Sequence, residues 1–310
     1  MLNPEILVKY ERDGLIEQEH RGFIVLADKK HAFDFTGDSK NYPFYLRSCA
    51  KPLQASLIVD YGLDLTEEET ALCCASHAGE DIHVNLAEQI LNKFDLDENM
   101  LKCGLHKPLS KTKQTQMLLE GEKENILQNN CSGKHVMMLA LCKINGWNLT
   151  DYDNPEHPLQ IAIKNKIYEL CKVTKEYPVT KDGCGVPIMS MPLENMLYGY
   201  LNVFCNPKYE KIKNAFLNHP YIIGGEDRTD TFIMQNSNGL IAKVGAGGLC
   251  IVVNTREEQA FVVKISDCDM KARELTVCKV LQNLKWADIE CGKTIKTLHG
   301  EFIGKILIMC

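Results

Sequence analysis

The chain has 310 residues, of which 45% are hydrophobic and 25% charged, and its formal net charge is −6. That balance suits a folded protein with one large core or two lobes, and the absence of a basic stripe excludes nucleic acid as the main partner. No apolar run reaches the roughly 18 residues that a membrane-spanning helix needs.

The N-terminus, Met1-Leu2-Asn3-Pro4-Glu5-Ile6, leads into acidic and basic residues rather than an apolar run, so no signal peptide is expected. Fourteen cysteines are present, most in apolar segments such as those holding Cys73, Cys74, Cys142, Cys171, Cys250 and Cys278, and none in a Cys-x-x-Cys pair. They read as reduced, mostly buried thiols of a cytoplasmic protein, since disulfide frameworks belong to smaller secreted chains.

Residues 6–10 and 22–27 are predicted strands, with turns at Asp13-Gly14 and Gly37-Asp38-Ser39. From Ser48 the hydrophobic period turns helical. Helices are expected over 48–61, 67–76, 84–94, 112–122, 135–144, 159–172, 192–200 and 209–217. Strand patterns return over 239–245, 247–253 and 259–265, followed by an amphipathic helix over 269–285 and a last strand over 303–309. Strands at both ends with helices between predict an α+β architecture. The expected organisation is a single globular unit over 1–310. Its antiparallel sheet comes from 1–46 and 235–310, and its helical lobe from 47–234.

The densest chemistry lies in Arg47-Ser48-Cys49-Ala50-Lys51-Pro52. Residues three apart share a helix face, so the Ser48 hydroxyl and Lys51 amine can meet. A lysine made neutral by burial or a neighbouring cation, such as Arg47, can take a serine proton and make the hydroxyl a nucleophile. By itself a Ser-x-x-Lys pair is common, with the serine serving as a helix cap. Farther along, Lys243-Val244-Gly245 on a strand matches the Lys-x-Gly that accompanies Ser-x-x-Lys in serine β-lactamases and penicillin-binding proteins. The bland alternative is an edge strand protected by a lysine.

Asn129-Asn130-Cys131-Ser132-Gly133-Lys134-His135 precedes an apolar helix. It lacks the upstream glycine of a phosphate loop. Cys131 and Lys134, with Cys184 in Asp182-Gly183-Cys184-Gly185-Val186-Pro187, could hold zinc, and His135 and Asp182 could stand behind them. Lysine is an unusual ligand that must lose a proton to bind, so spacing alone favours a plain helix cap over a metal site. Ala75-Ser76-His77-Ala78-Gly79-Glu80 reads either as a helix end or as a polar patch beside the site. Gly224-Gly225-Glu226-Asp227-Arg228-Thr229-Asp230-Thr231 reads either as a substrate loop or as a solvated helix entry.

Together with Cys103-Gly104 and the strands carrying Lys243 and Lys264, these strings resemble the asparaginase II family, the Rhizobium-type L-asparaginases. The resemblance runs in order over nearly the whole chain. It implies a fold like that of serine β-lactamases and penicillin-binding proteins, an antiparallel sheet flanked by helices with a helical lobe. It also implies hydrolysis of L-asparagine to L-aspartate and ammonia. Ser48 would be the nucleophile and Lys51 its base, with Ser76 and Lys264 as a second serine–lysine pair. Cys131, Lys134 and Cys184 would bind Zn2+. Arg47, His135, Asp182, Arg228 and Lys243 would bind substrate. A homodimer is implied as well. Relatives read Ser-His-Ser-Gly where this chain has Ser76-His77-Ala78-Gly79, so any role of that second serine is missing here. The competing expectations are glutamine as substrate, a penicillin-recognising or other acyl-transfer enzyme, and a non-catalytic sensor of an amino acid or zinc. One methylene separates asparagine from glutamine, which a pocket discriminates by roughly 1–3 kcal/mol.

Overall fold

The structure is a computed structural model that describes residues 2–289 and 294–310. Its N-terminal part is a meander of β1 (Glu5–Arg12), β2 (Leu15–Asp28) and β3 (Ala32–Thr36), followed by the short β4 (Phe44–Tyr45). Asp13 and Gly14, both at positive φ, make the tight turn between the first two strands. A 3-10 turn over Arg47–Ala50 then runs straight into α1 (Lys51–Asp60), where Pro52 occupies the first turn, the one helical position that tolerates a missing N–H.

The helices α2 (Glu67–Cys74), α3 (Asp81–Lys93), α4 (Lys111–Glu120), α5 (Ser132–Asn145) and α6 (Pro158–Leu170) follow. Thr66 and Glu69 close a capping box that fixes where α2 begins, and hence where it delivers Ala75 and Ser76 at its far end. Two short strands, β5 (Val179–Lys181) and β6 (Pro187–Met191), join β4 in a separate small sheet. Next come α7 (Leu193–Phe204), α8 (Glu210–Asn218), α9 (Pro220–Gly224) and α10 (Thr229–Gln235). The chain returns to strands with β7 (Leu240–Gly245), β8 (Leu249–Asn254) and β9 (Gln259–Ile265), then α11 (Met270–Asn283), β10 (Thr294–Lys296) and β11 (Phe302–Ile308).

The main sheet has the order β10-β11-β1-β2-β9-β8-β7, with β3 paired to β2, and its pairings are antiparallel. The length of β2 explains how it serves several partners. Its first half pairs with β1, from Leu15↔Arg12 to Gly22↔Glu5, while Ile24–Ala27 pairs with β3 on one side and β9 on the other. Gly22 is where these regimes meet, and a Cβ there would lie 2.3 Å from the Lys264 carbonyl oxygen. Every residue of β7 and β8 is buried. Successive strand residues face opposite sides, so both faces are covered there: α7 and α11 pack against β8 and β9, and α10 and α8 against the edge strand β7. This α+β arrangement agrees with the fold read from the sequence. The small sheet was not foreseen, because strands of two to five residues carry too few positions to establish a period.

Candidate active site

Three chain segments converge on Lys51. The 3-10 turn supplies Arg47 and Ser48, the end of α2 supplies Ala75 and Ser76, and the start of α5 supplies Asn130 to Lys134. Gly133 makes the last of these possible. A Cβ at that position would lie 2.2 Å from the Leu72 carbonyl oxygen, so only glycine lets α5 begin against α2. On the other side the edge of β7 closes down on the turn: Cys49 Sγ donates to the Lys243 carbonyl at 3.3 Å, and a Cβ on Gly245 would be 3.0 Å from that sulfur.

Lys51 is fully buried, and its Nζ has three partners: the carbonyl oxygens of Ala75 at 2.6 Å and Asn130 at 2.9 Å, and Ser76 Oγ at 2.9 Å. Burial, with help from the charges of Lys134 and Lys243, lowers its pKa to about 8. A neutral amine has two N–H donors and one lone pair. Two carbonyls take the donors, which turns the lone pair toward Ser76 Oγ. Ser48 lies one 3-10 turn before Lys51, is partly exposed, and among the described residues makes no side-chain hydrogen bond. Ser76 is only 2% exposed. Lysine 51 therefore meets Ser76, and the sequence expectation that it pairs with Ser48 is not realised as a direct contact.

Lys264 is not brought to Ser76. It lies on β9, donates to its neighbour's carbonyl, Ile265, at 2.6 Å, and sits 5.8 Å from the centre of the Phe44 ring. The Lys243 charge, in contrast, is felt by Lys51, Cys74 and His77, the residues around Ser76. Lys243 is fully buried. Its Nζ lies 3.3 Å from Asp230 Oδ2 and donates to the Val244 carbonyl at 2.9 Å. Burial pushes the Asp230 carboxyl up, but Lys243 and Arg228 outweigh it and hold the pKa below the usual range. Asp230 Oδ2 also receives the Val244 N–H at 3.3 Å, while Oδ1 is buried and unpartnered. Sequence reading placed Asp230 in a charged loop and missed it as a partner. The signal available was only that Lys243 stands in a run too apolar for an unpaired charge.

Arg47 holds Asp182 through Nε–Oδ1 at 2.8 Å, and Asp182 Oδ2 lies 3.8 Å from Lys134 Nζ. Burial opposes ionisation of Asp182, yet Lys134 and Arg47 keep its pKa below the ordinary value. Arg47 itself has φ of +48°, a left-handed conformation costly for a residue with a Cβ.

Cys131, Lys134 and Cys184 are all buried, and each is felt by the other two. The neighbouring Cys184 thiol first, then Lys51 and Lys134, favours a thiolate on Cys131, while Cys131 and burial push Cys184 up. Burial works against charge on Lys134, but Cys131, Cys184 and Asp182 outweigh it and raise its pKa. No group of three or more His, Cys, Asp or Glu side chains among the described residues could hold a metal. The two thiols are ordinary zinc ligands, whereas Lys134, held protonated by its neighbours, would have to give up its proton to join them.

His135 is buried beside this cluster. Its Nδ1 is 2.7 Å from Tyr152 Oη, and its Nε2 has no partner. Arg228 stands apart: its Nε is buried without a partner, and its charge reaches Asp230 and His77. Ala78 is fully buried, and a Cβ on Gly225 would be 2.6 Å from its own Cβ. Packing, not a polar group, fills that place.

The fold and site define an α+β protein in which a buried, pKa-lowered lysine faces a serine where the sheet edge meets the helices. The L-asparaginase II family model matches residues 8–305, and the chain belongs to that family. It is thus an asparaginase-type amidohydrolase in the general sense, acting on a small-molecule amide. A search of curated proteins found no match. Among solved structures, a β-lactamase from Mycobacterium bovis is similar at 13% identity over 84% of this chain and 94% of that one, with a TM-score of 0.42. A protein from Bacteroides dorei DSM 17855, assigned to the β-lactamases, is similar at 11% identity over 79% of this chain and 84% of that one, with a TM-score of 0.45. No helix among the described residues is long and apolar enough to cross a membrane.

Proposed function

We propose that the protein hydrolyses L-asparagine to L-aspartate and ammonia, with Ser48 as nucleophile and Lys51 as the base. The observation that carries this reading is the fixed orientation of Lys51 between two carbonyls, with its third position on Ser76 Oγ. Ser48 is the more accessible hydroxyl, and Ser76 is the group that passes its proton to Lys51. Ser48 Oγ bonds to the side-chain amide carbon as its proton moves to Lys51 through Ser76. The C–N bond then breaks, and ammonia leaves with that proton. Water adds to the ester, aspartate departs, and Ser48 regains its hydrogen. The first N–H groups of the Arg47–Ala50 turn, which have no acceptor within that turn, are the candidate oxyanion donors.

Arg47, held by Asp182, is the partner for the substrate carboxylate. Zinc held by Cys131, Lys134 and Cys184 would supply a fixed positive charge for orienting the amino-acid head group. Support for it is the burial of those three side chains and the electrostatic hold of the two thiols on Lys134.

The test is ammonia release from L-asparagine and L-glutamine by the wild type and by Ser48→Ala and Lys51→Met. Release from asparagine that disappears in both variants supports the assignment. Undiminished turnover by Ser48→Ala refutes it.

A further inference from the structure

Next to the 3-10 turn lies a cavity of about 480 Å³ lined by Phe23, Tyr42, Phe44, Tyr45, Arg47 and Lys264. It borders the turn that carries Ser48 from two directions. Arg47 precedes the serine directly, and Ala246 and Gly247 of the lining continue from Gly245, which abuts Cys49. Ammonia leaving from asparagine needs room for a single heavy atom, whereas this volume is that of a site for a drug-sized ligand. The wall is aromatic: the Phe44 ring is 5.7 Å from Phe23 and 5.1 Å from Tyr42, both tilted. Its charge is one-sided. Arg47, with its side chain 38% exposed, and Lys264 are cations, and no acidic side chain among the described residues is in the lining.

We propose that this cavity seats the amine side of a substituted amide, so that the protein also hydrolyses β-aspartyl arylamides, with preference for a ring bearing an anionic group. This rests on Ser48 being the nucleophile. The ring lies among the four aromatic side chains, and its anionic substituent meets Lys264, leaving Arg47 to the aspartyl carboxylate. Ser48 Oγ bonds to the β-carbonyl carbon, and the C–N bond to the arylamine breaks. The amine carries off the proton given up by the serine. Water then splits the ester, returning a hydrogen to Ser48 and its hydroxyl to aspartate.

The experiment compares L-asparagine, aspartyl β-anilide and aspartyl β-(4-carboxyanilide), following ammonia or arylamine release, for the wild type and for Tyr42→Ala and Tyr45→Ala. Both tyrosines are exposed, at 48% and 39%, so both variants should fold. Expected is cleavage of both anilides, with kcat/KM about tenfold higher for the carboxylated ring. Each tyrosine variant should lower anilide kcat/KM about fivefold and leave asparagine turnover unchanged. Cleavage of asparagine alone overturns the cavity proposal and leaves the asparaginase reading standing. Anilide cleavage that neither tyrosine variant affects overturns the seat. Anilide cleavage without asparagine cleavage supports the cavity and rejects asparagine as substrate. Inertness toward all three amides rejects both.

Discussion

Lys51 Nζ lies 2.9 Å from Ser76 Oγ, although the serine nearest to it in sequence is Ser48, in the 3-10 turn that leads into its helix. In the proposed mechanism the base acts on the nucleophile through this second hydroxyl. Ser76→Ala should lower kcat by about 10²–10⁴-fold with little change in KM, because the relay is lost while the binding groups remain. Steady-state kinetics on asparagine decide this. A kcat within a factor of about two of wild type would show that Lys51 acts on Ser48 without Ser76.

The proton-accepting form of Lys51 is the neutral one. With its pKa lowered to about 8 by burial first and neighbouring cations second, activity should rise with pH and level off above that value. A kcat/KM profile between pH 6 and 10 should show a single ascending limb centred near 8. A flat profile across that interval would remove lysine from the role of base.

Asp230 and Lys243 form a pair whose side chains are both fully buried. Asp230→Asn leaves the Lys243 ammonium uncompensated and should cost about 3–5 kcal/mol of stability at neutral pH, measured by urea unfolding. The folded-state pKa of Asp230 lies below its unfolded value, so its contribution is present above the unfolded pKa and is lost as pH falls through the folded one. The difference between wild type and variant should therefore shrink in acid. A gap that widens in acid would contradict the ion pair.

Cys131→Ser should abolish stoichiometric zinc in the purified protein, measured by elemental analysis, and raise KM for asparagine. The wild type should lose zinc to a chelator and regain it on addition. If the wild type, purified with zinc present, carries none, the cluster is a hydrogen-bonded thiol–amine pair and no metal site.

Those outcomes bear on how far the residue string could be read. The strand and helix periods announced the main sheet and most helices, because segments such as 249–253 and 135–144 are long enough to repeat. The convergence of Ser48, Lys51, Ser76 and Cys131 was legible only as resemblance. The contacts that make it, Gly133 against Leu72 and Cys49 against β7, join residues far apart in the chain. Lys243 and Lys264 look alike as strand lysines. What separates them is Asp230, which sits in a loop-like run and becomes a buried counter-ion only once α10 packs on β7. Likewise, no pattern signalled that the Ser-x-x-Lys stretch opens as a 3-10 turn whose first residue, Arg47, has a left-handed backbone.

That backbone has an implication for engineering. A left-handed residue with a Cβ costs about 1–3 kcal/mol, and glycine there relieves it. Libraries ranked by heat resistance alone will thus enrich Arg47→Gly, while libraries ranked by turnover will reject it, since the guanidinium that grips Asp182 goes with the strain. At this one position the two selections pull in opposite directions, and a thermostable variant must draw its gains from elsewhere in the chain.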